Sequence, residues 1–516
     1  MTKQTFLQGT FILIIAGLIT RILGFINRIV IARVMGEEGV GLYMMAVPTF
    51  LLVITLTQIG LPIAISKSVA EAEAVGDRRK VKQILVVSLS ITGFLSVVLS
   101  AILIVVAPYL SKYLLADPRT YYPLVAILPV VPIIAISSVL RGYFQGKQNM
   151  RPAAYSSVIE QAVRILLVAY CTNVFMPYGI EYAAAGAMIS AVFGELASLI
   201  YILSMFKIKK TFRLRRNFFK SLRGSKSALN ELLSVALPTT GSRLIGSISL
   251  FFEPILVSQS LLIAGLSVGA ATSQYGLISG YVLPLLFLPS FITYSLSVSL
   301  VPAISEALVM KQFALVEHRL QQSIRLSLVS GGAAVIIIYV FAEPLLQVMF
   351  KSDKASGMLQ LMAPFFLFYY FQGPLQAALQ ALDCAKAGMV NTLIGAVVKS
   401  ILIVLLATLP SLQITGVALA ISVGVVLTTL LHFTTVLKHI SFTIKATDYI
   451  KMIVAMLLGG YVGQFFYNKV NFGSLHLNLI SGVIFTLVFY SLLLMIFNLV
   501  KRNELSRIPI LKLLFR

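Results

Sequence analysis

Charge is scarce in this sequence: 11% of its 516 residues are charged, against about 25% in a soluble globular domain. Hydrophobic residues make up 58%, and the mean hydropathy is +0.94. So few charges cannot cover a 56.3 kDa soluble surface, which excludes a soluble enzyme, a nucleic-acid binder and a disordered scaffold. Cysteine is nearly absent. Cys171 and Cys384 lie far apart and suggest neither a disulfide framework nor a thiolate metal site. His318, His432, His439 and His476 lack metal-ligand spacing, and nothing else calls for a cofactor. The run Gly142 to Gln148 lacks the spacing and the Ser/Thr of a phosphate-binding loop. No loop is long enough for a catalytic domain, so no enzyme is predicted. Arg21 and Arg28 interrupt the N-terminal apolar stretch and no small-residue cleavage site follows, so a retained first helix is expected.

Acids are scarcer than bases, at 18 Asp+Glu against 41 Lys+Arg, for a formal charge of +23. In a soluble protein that excess would point to nucleic acid; here it must first be tested against the positive-inside bias. A bilayer core needs about 20 apolar residues per helix, and the sequence predicts an all-α polytopic membrane protein of about fourteen spans. With the N-terminus inside, most of the cations fall on the even-numbered loops and the two tails, so both termini are predicted to be cytoplasmic. The densest cluster runs from Lys207 through Lys209, Lys210, Arg213, Arg215, Arg216, Lys220 and Arg223 to Lys226. It reads as a cytoplasmic loop that can also attract anionic membrane lipids. The predicted organisation is a six-helix bundle over 1–206, the basic loop over 207–231, a second six-helix bundle over 232–437, and a trailing helix pair with a basic tail over 438–516.

The two bundles read as a repeat. Arg21-Ile22-Leu23-Gly24 resembles Arg243-Leu244-Ile245-Gly246, and Ala64-Ile65-Ser66 matches Ala303-Ile304-Ser305. At a near-constant offset Arg164 falls opposite Lys399, and Gly186 and Gly194 fall opposite Gly416 and Gly424. Six spans return the chain to its starting side, so the repeats run parallel about an axis along the membrane normal.

Arg21, Arg28, Arg164, Arg243 and Lys399 lie inside predicted spans. Each costs about 2.5–3.5 kcal/mol at a helix centre, so they must face a hydrated cavity, pair with acids, or snorkel to an interface. Snorkelling suits Arg28 and Lys399 best and Arg21 least. Thr10, Gly17, Arg21, Gly24 and Arg28 share about 60° of helix arc, a stripe that reads as close helix packing or as two guanidiniums facing a central space. Glu160 and Arg164 have i,i+4 spacing, which allows an ion pair; the alternative is that Glu160 or Glu195 titrates during transport. Arg243 and Glu253 fall on different faces, leaving Glu253 as a further candidate coupling acid. The first span offers no acid between Phe11 and Val34. Cations matched between repeats suit an anion, since a guanidinium donates two parallel hydrogen bonds to phosphate.

The run Arg21-Ile22-Leu23-Gly24-Phe25-Ile26-Asn27-Arg28-Ile29-Val30-Ile31-Ala32-Arg33, followed by Gly36-Glu37-Glu38-Gly39-Val40-Gly41-Leu42-Tyr43 and Gly60-Leu61-Pro62-Ile63-Ala64-Ile65-Ser66-Lys67, resembles the polysaccharide-transport family. That family belongs to the multidrug/oligosaccharidyl-lipid/polysaccharide exporter superfamily. The resemblance implies two six-helix lobes plus a helix pair, alternating access, and a polyprenyl-pyrophosphate-linked saccharide as substrate. It further implies a peptidoglycan precursor for the spore cortex, moved across the cytoplasmic membrane. Related flippases carry R-x-L-G-F-x-R in the first helix, both arginines serving the cavity. Arg21 matches the first of these; the second falls on Asn27, with Arg28 one place later. Residues 448–500 correspond to the pair that receives the lipid tail. Rival readings are an ion-coupled drug or cation exporter, which needs an intramembrane acid, and a scaffold that recruits cell-wall synthases.

Overall fold

The computed structural model describes residues 6–209, 226–440 and 446–499. Most of the basic cluster between Lys207 and Lys226, and the whole basic C-terminal tail, lie outside the described residues. Among the described residues the structure is helical throughout, with no strand.

The chain divides into two compact units, residues 1–280 with 407–413 and residues 281–406 with 414–516. The first unit contains α1 (Phe6–Gln58), α2 (Leu61–Ala74), α3 (Arg78–Tyr109), α4 (Tyr121–Ala126), α5 (Val130–Gly146), α6 (Arg151–Phe175), α7 (Ile180–Lys209), α8 (Lys226–Ile263) and α9 (Val268–Gly276). The second contains α10 (Leu283–Phe287), α11 (Ser290–Val309), α12 (Phe313–Val340), α13 (Ala342–Phe350), α14 (Ser356–Ala381), α15 (Ala385–Ala407), α16 (Gln413–Leu437), α17 (Ala446–Lys469) and α18 (Leu475–Ile496). Among the described residues eleven stretches are long and apolar enough to cross a membrane, or twelve if the bent pair Pro118–Ala126 and Val130–Gly146 is one span.

Backbone chemistry sets the breaks. Residues 33–40 read as a loop between spans, yet the helix runs through them with a single interruption at Gly36, at φ 65° and ψ −169°. Glycine reaches that conformation without the Cβ clash that other residues meet. One candidate stretch, Ile15–Ala74, is 60 residues long. As straight helix it would extend about 90 Å, three times the hydrocarbon thickness; it is broken at Gly36 and again between α1 and α2, where Gly60 has φ 62°. Asp77 starts α3 by accepting from the Lys80 amide at 2.9 Å, and Ser474 starts α18 by accepting from that of Leu477 at 3.2 Å.

In the first unit α6 and α7 make the most extensive helix pair, and α1 packs on α6, α9, α8 and α7. The start of α8 is embedded in this unit. Leu232 and Ala236 join a buried cluster with Leu61 and Ile65 of α2, Ile84 of α3, Tyr143 of α5 and Ile202 of α7. Lys80 pairs with Glu231 at 2.9 Å beside that cluster. At the other end of α8, α9 crosses α1 closely. A Cβ added to Gly41 would overlap the Thr272 carbonyl, and one added to Gly276 would overlap that of Glu37. Small residues permit such close approach where lipid supplies no hydrophobic drive for association. Gly41→Ala is therefore expected to lower the thermal unfolding midpoint of the purified protein, at a cost of about 1–3 kcal/mol. Gly93→Ala is the control, since its Cβ would meet nothing within 4 Å. Equal midpoints for the two variants would refute the close crossing.

In the second unit Leu300 and Ile304 of α11, Leu320 and Ile324 of α12 and Leu375 and Ala378 of α14 form one buried cluster. Helices α17 and α18 pair with each other and pack on α12. The Tyr490 hydroxyl of α18 donates to the Val329 carbonyl at 3.2 Å.

Candidate functional site

On α1, Arg21 and Arg28 stand two helical turns apart and both are exposed. Asn27 is turned inward, 5% exposed, and its Oδ1 has no hydrogen-bond partner among the described residues. The face of the stripe thus carries Arg28 and excludes position 27. Of the remaining stripe residues, the Thr10 side chain lies outside the described residues. A Cβ on Gly24 would stand 3.8 Å from Gln161 Oε1 on α6. Asn27→Arg would bury a guanidinium and is expected to reduce the amount of folded protein in the membrane, whereas Arg28→Ala leaves it near wild type. Quantifying both by detergent extraction checks this; equal abundance of the two variants would overturn the assignment of faces.

Arg243 is exposed on α8. One turn later the Ser247 hydroxyl lies 2.9 Å from that of Thr55 in the second limb of α1. Arg21, Arg28, Arg164 and Arg243 all belong to the first unit, and Lys399 on α15 belongs to the second. Glu253, also on α8, is half-buried and within electrostatic range of the Tyr275 hydroxyl on α9.

Glu160 and Arg164 form the ion pair that their spacing allows, at 2.7 Å. They belong to a larger network centred on Arg141 of α5, which sequence reasoning did not single out. A single Arg141 nitrogen, Nη2, donates to Glu195 Oε1 at 3.1 Å, to Glu160 Oε2 at 3.4 Å and to the Ser198 hydroxyl at 2.8 Å. The Gln161 amide donates to Glu160 Oε1 at 3.4 Å. The Glu195 side chain is 3% exposed. Two glutamates and two arginines from α5, α6 and α7 thereby balance inside the unit. The helices close on them through Gly194, whose Cβ would come within 2.8 Å of the Glu160 carbonyl and 3.2 Å of Arg164 Cβ.

The second unit repeats the glycine contact without the acids. A Cβ on Gly424 would meet Lys399 Cβ at 2.9 Å, so in each unit a glycine passes over the stem of a cation. Where the first unit has Arg141 and Ser198, the second has Gln372, which donates to the Thr429 hydroxyl at 3.0 Å.

A separate polar cluster joins α1 to α9 and to the approach of α4. Asp117, 1% exposed, accepts from Arg119 at 2.8 and 3.0 Å and from the Thr272 hydroxyl at 2.7 Å. Arg119 also pairs with Glu38 at 2.7 Å. Here the Gly36-Glu37-Glu38-Gly39 run is a structural junction. Among the described residues no cluster of three or more His, Cys, Asp or Glu is arranged to hold a metal.

Residues 6–308, more than half of the chain, match the family described as polysaccharide biosynthesis protein. The chain belongs to that family. Residues 250–406 also match the MatE family. The chain is 57% identical over 512 residues to stage V sporulation protein B of Bacillus subtilis (strain 168), covering 99% of each. It is 24% identical over 471 residues to lipid II flippase MurJ of the same organism, covering 88% of this chain and 86% of that protein. A solved structure of lipid II flippase MurJ in an inward closed conformation superposes with a TM-score of 0.71 at 16% identity, covering 93% of this chain and 98% of the other. An inward-facing multidrug resistance MATE family transporter gives 0.65 at 18% identity, covering 82% and 94%. These matches bear out the resemblance read from the first seventy residues. The family sits in the multidrug/oligosaccharidyl-lipid/polysaccharide superfamily of membrane transporters and flippases, and this chain is a multi-span membrane member of it.

Proposed function

We propose that the protein is an alternating-access flippase and not an enzyme. Its cargo is an undecaprenyl-pyrophosphate-linked saccharide, a peptidoglycan precursor for the spore cortex. It crosses the cytoplasmic membrane, in sporulating cells the membrane around the forespore. Dividing Ile15–Ala74 at Gly36, taking the bent pair as one span and adding α14 brings the twelve candidate spans to fourteen. An even number puts both termini on one side, and the cation excess makes that side cytoplasmic. Two six-helix bundles, 1–206 and 232–437, then flank the basic loop, with 438–516 trailing.

The observation that carries this reading is the division of labour among intramembrane charges in the first unit. Its half-buried Glu160 and buried Glu195 are held by Arg141 and Arg164, while Arg21, Arg28 and Arg243 present guanidiniums on exposed faces. A cation exporter needs the reverse, an available acid. A pyrophosphate needs forked donors, and Arg21 and Arg243 are its first ligands, with Arg28 in a supporting role. An inside-negative potential favours outward movement of the anion, by about 2.3 kcal/mol per charge per 100 mV.

The test is flipping of a purified lipid-linked precursor by the protein in proteoliposomes, wild type against Arg21→Ala. Flipping that disappears with Arg21 supports the reading. Transport of cationic dyes without flipping would favour a drug exporter. A sporulating strain in which Arg21→Ala complements fully would favour a scaffold for cell-wall synthases.

A further inference from the structure

The repeat read from the sequence assigns α8 and α9 to the second bundle, yet both pack within the first compact unit. One short connector of the first repeat, residues 110–120 between α3 and α4, reaches both of them. It is a shaped segment and not slack chain. A π-helical turn over Leu110–Leu114 leads to Ala116, left-handed at φ 60°, and then to a tight turn over Pro118–Thr120 that Asp117 caps. The Tyr113 and Leu114 carbonyls accept from Gln259 Nε2, near the end of α8, at 2.6 and 3.1 Å. The buried Asp117 accepts from the Thr272 hydroxyl of α9 at 2.7 Å. Arg119, held on Asp117 at 2.8 Å, pairs with Glu38 of α1 at 2.7 Å. Beside them the Ser273 hydroxyl of α9 donates to Glu37 at 3.4 Å.

We propose that residues 110–120 form a reversible clasp. The segment grips α8 through Gln259 and α9 through Asp117, braces α1 through Arg119, and lets go of α8 and α9 when the outer side opens. This rests on the flippase reading, since cytoplasmic termini put the segment, Gly36 and the start of α9 on the outer side. The chemistry of the joint suits release. Parting these contacts trades each protein hydrogen bond for one to water, at little net cost. Asp117 and Arg119 lie on the same segment and keep each other in either state, so release strands no buried acid. At Gly41 and Gly276 backbone approaches backbone, and parting them disengages little side chain. The start of α8 is held differently, by the apolar cluster around Leu232 and Ala236, whose parting would expose apolar area to water. The clasp end is therefore the end built to open. Shut, it keeps the cargo from leaving outward; released, it lets the saccharide out.

Spin-label distance measurements on the full-length protein in lipid bilayers test the clasp. Cys171→Ala and Cys384→Ser remove the native thiols, and labels are attached through Tyr178→Cys and Ile263→Cys. Both positions are exposed, Tyr178 just past α6 and Ile263 at the end of α8. The half-buried Glu38 and Gln259 are then changed together, as Glu38→Gln/Gln259→Ala, to loosen the grip. A longer distance is expected to appear or grow, its ratio to the shorter one rising at least about fivefold. An unchanged distribution overturns the proposal. A lock supplies the second readout. Asp117→Cys/Thr272→Cys, oxidised to a disulfide, is expected to slow flipping in proteoliposomes more than about tenfold, with recovery on reduction. A pair that does not cross-link, or a cross-linked protein that flips as fast as the reduced one, refutes the clasp. The two readouts separate this proposal from the functional one. The longer distance without flipping under any condition removes the flippase reading and leaves the clasp. Flipping undiminished by the cross-link does the opposite.

Discussion

Arg21→Ala is expected to abolish flipping of the lipid-linked saccharide while the protein accumulates in the membrane at close to the wild-type level. The side chain is exposed on α1, so its removal opens no cavity in the packed interior. In a site walled by apolar helices, a guanidinium–phosphate contact is a charge-assisted, forked hydrogen bond. Truncating one partner of a buried charged pair costs about 2–5 kcal/mol, equivalent to roughly 30- to 4,000-fold in rate or affinity at 1.4 kcal/mol per decade. Arg21→Lys keeps the charge and loses the fork, and should fall between. The effect is read as initial flipping rate at matched protein density in proteoliposomes. Arg243→Ala should behave like Arg21→Ala, and Arg28→Ala should cost less. A rate for Arg21→Ala within twofold of wild type would remove that residue from the site.

The sequence was informative where the interaction is local and silent where the partner is distant. Arg164 and Glu160 lie one helical turn apart, so helix geometry alone brings them together, and the structure has them at 2.7 Å. The inward turn of Asn27 and the outward turn of Arg28 follow from helical phase once Arg21 is known to be exposed. Arg141 falls near the end of an apolar stretch, where a cation reads as a membrane-edge residue. Its acid partners are 19 and 54 residues further along the chain, and no periodicity links those positions. The signal in the sequence is the presence of two acids, Glu160 and Glu195, beside the single cation Arg164 at helical spacing.

Packing units show the same limit. The resemblance of Arg21 to Gly24 with Arg243 to Gly246 places the start of the second repeat near residue 232. The compact first unit nevertheless takes in α8 and α9, as far as residue 280. Internal similarity records how a sequence is composed, whereas packing records which apolar faces meet. The face of α8 that carries Leu232 and Ala236 meets α2, α3 and α7. The crossing at Gly41 and Gly276 was equally hidden, because a glycine in a membrane sequence announces close approach without naming its neighbour.

Arg141→Ala is expected to produce the largest loss of stability. The substitution leaves the buried Glu195 carboxyl without its guanidinium and the Ser198 hydroxyl without its donor. Breaking a buried ion pair from one side costs about 3–5 kcal/mol, and a marginally stable fold of about 5–15 kcal/mol loses much of its margin. The remaining Arg164 is already committed to Glu160, so it offers Glu195 little relief. Neutralising the acid offers more. In the double variant Arg141→Ala/Glu195→Gln no uncompensated charge remains, and most of the lost stability should return. Acid pH should do the same for the single variant, because a proton on Glu195 removes the uncompensated charge. Stability of Arg141→Ala is therefore expected to fall as pH rises, and the double variant should lack that dependence. The measurement is the unfolding midpoint of the four proteins of the cycle in lipid or mild detergent at several pH values. If the two single substitutions simply add, Arg141 and Glu195 are not a coupled pair, and the network around them does not hold α5 to α7.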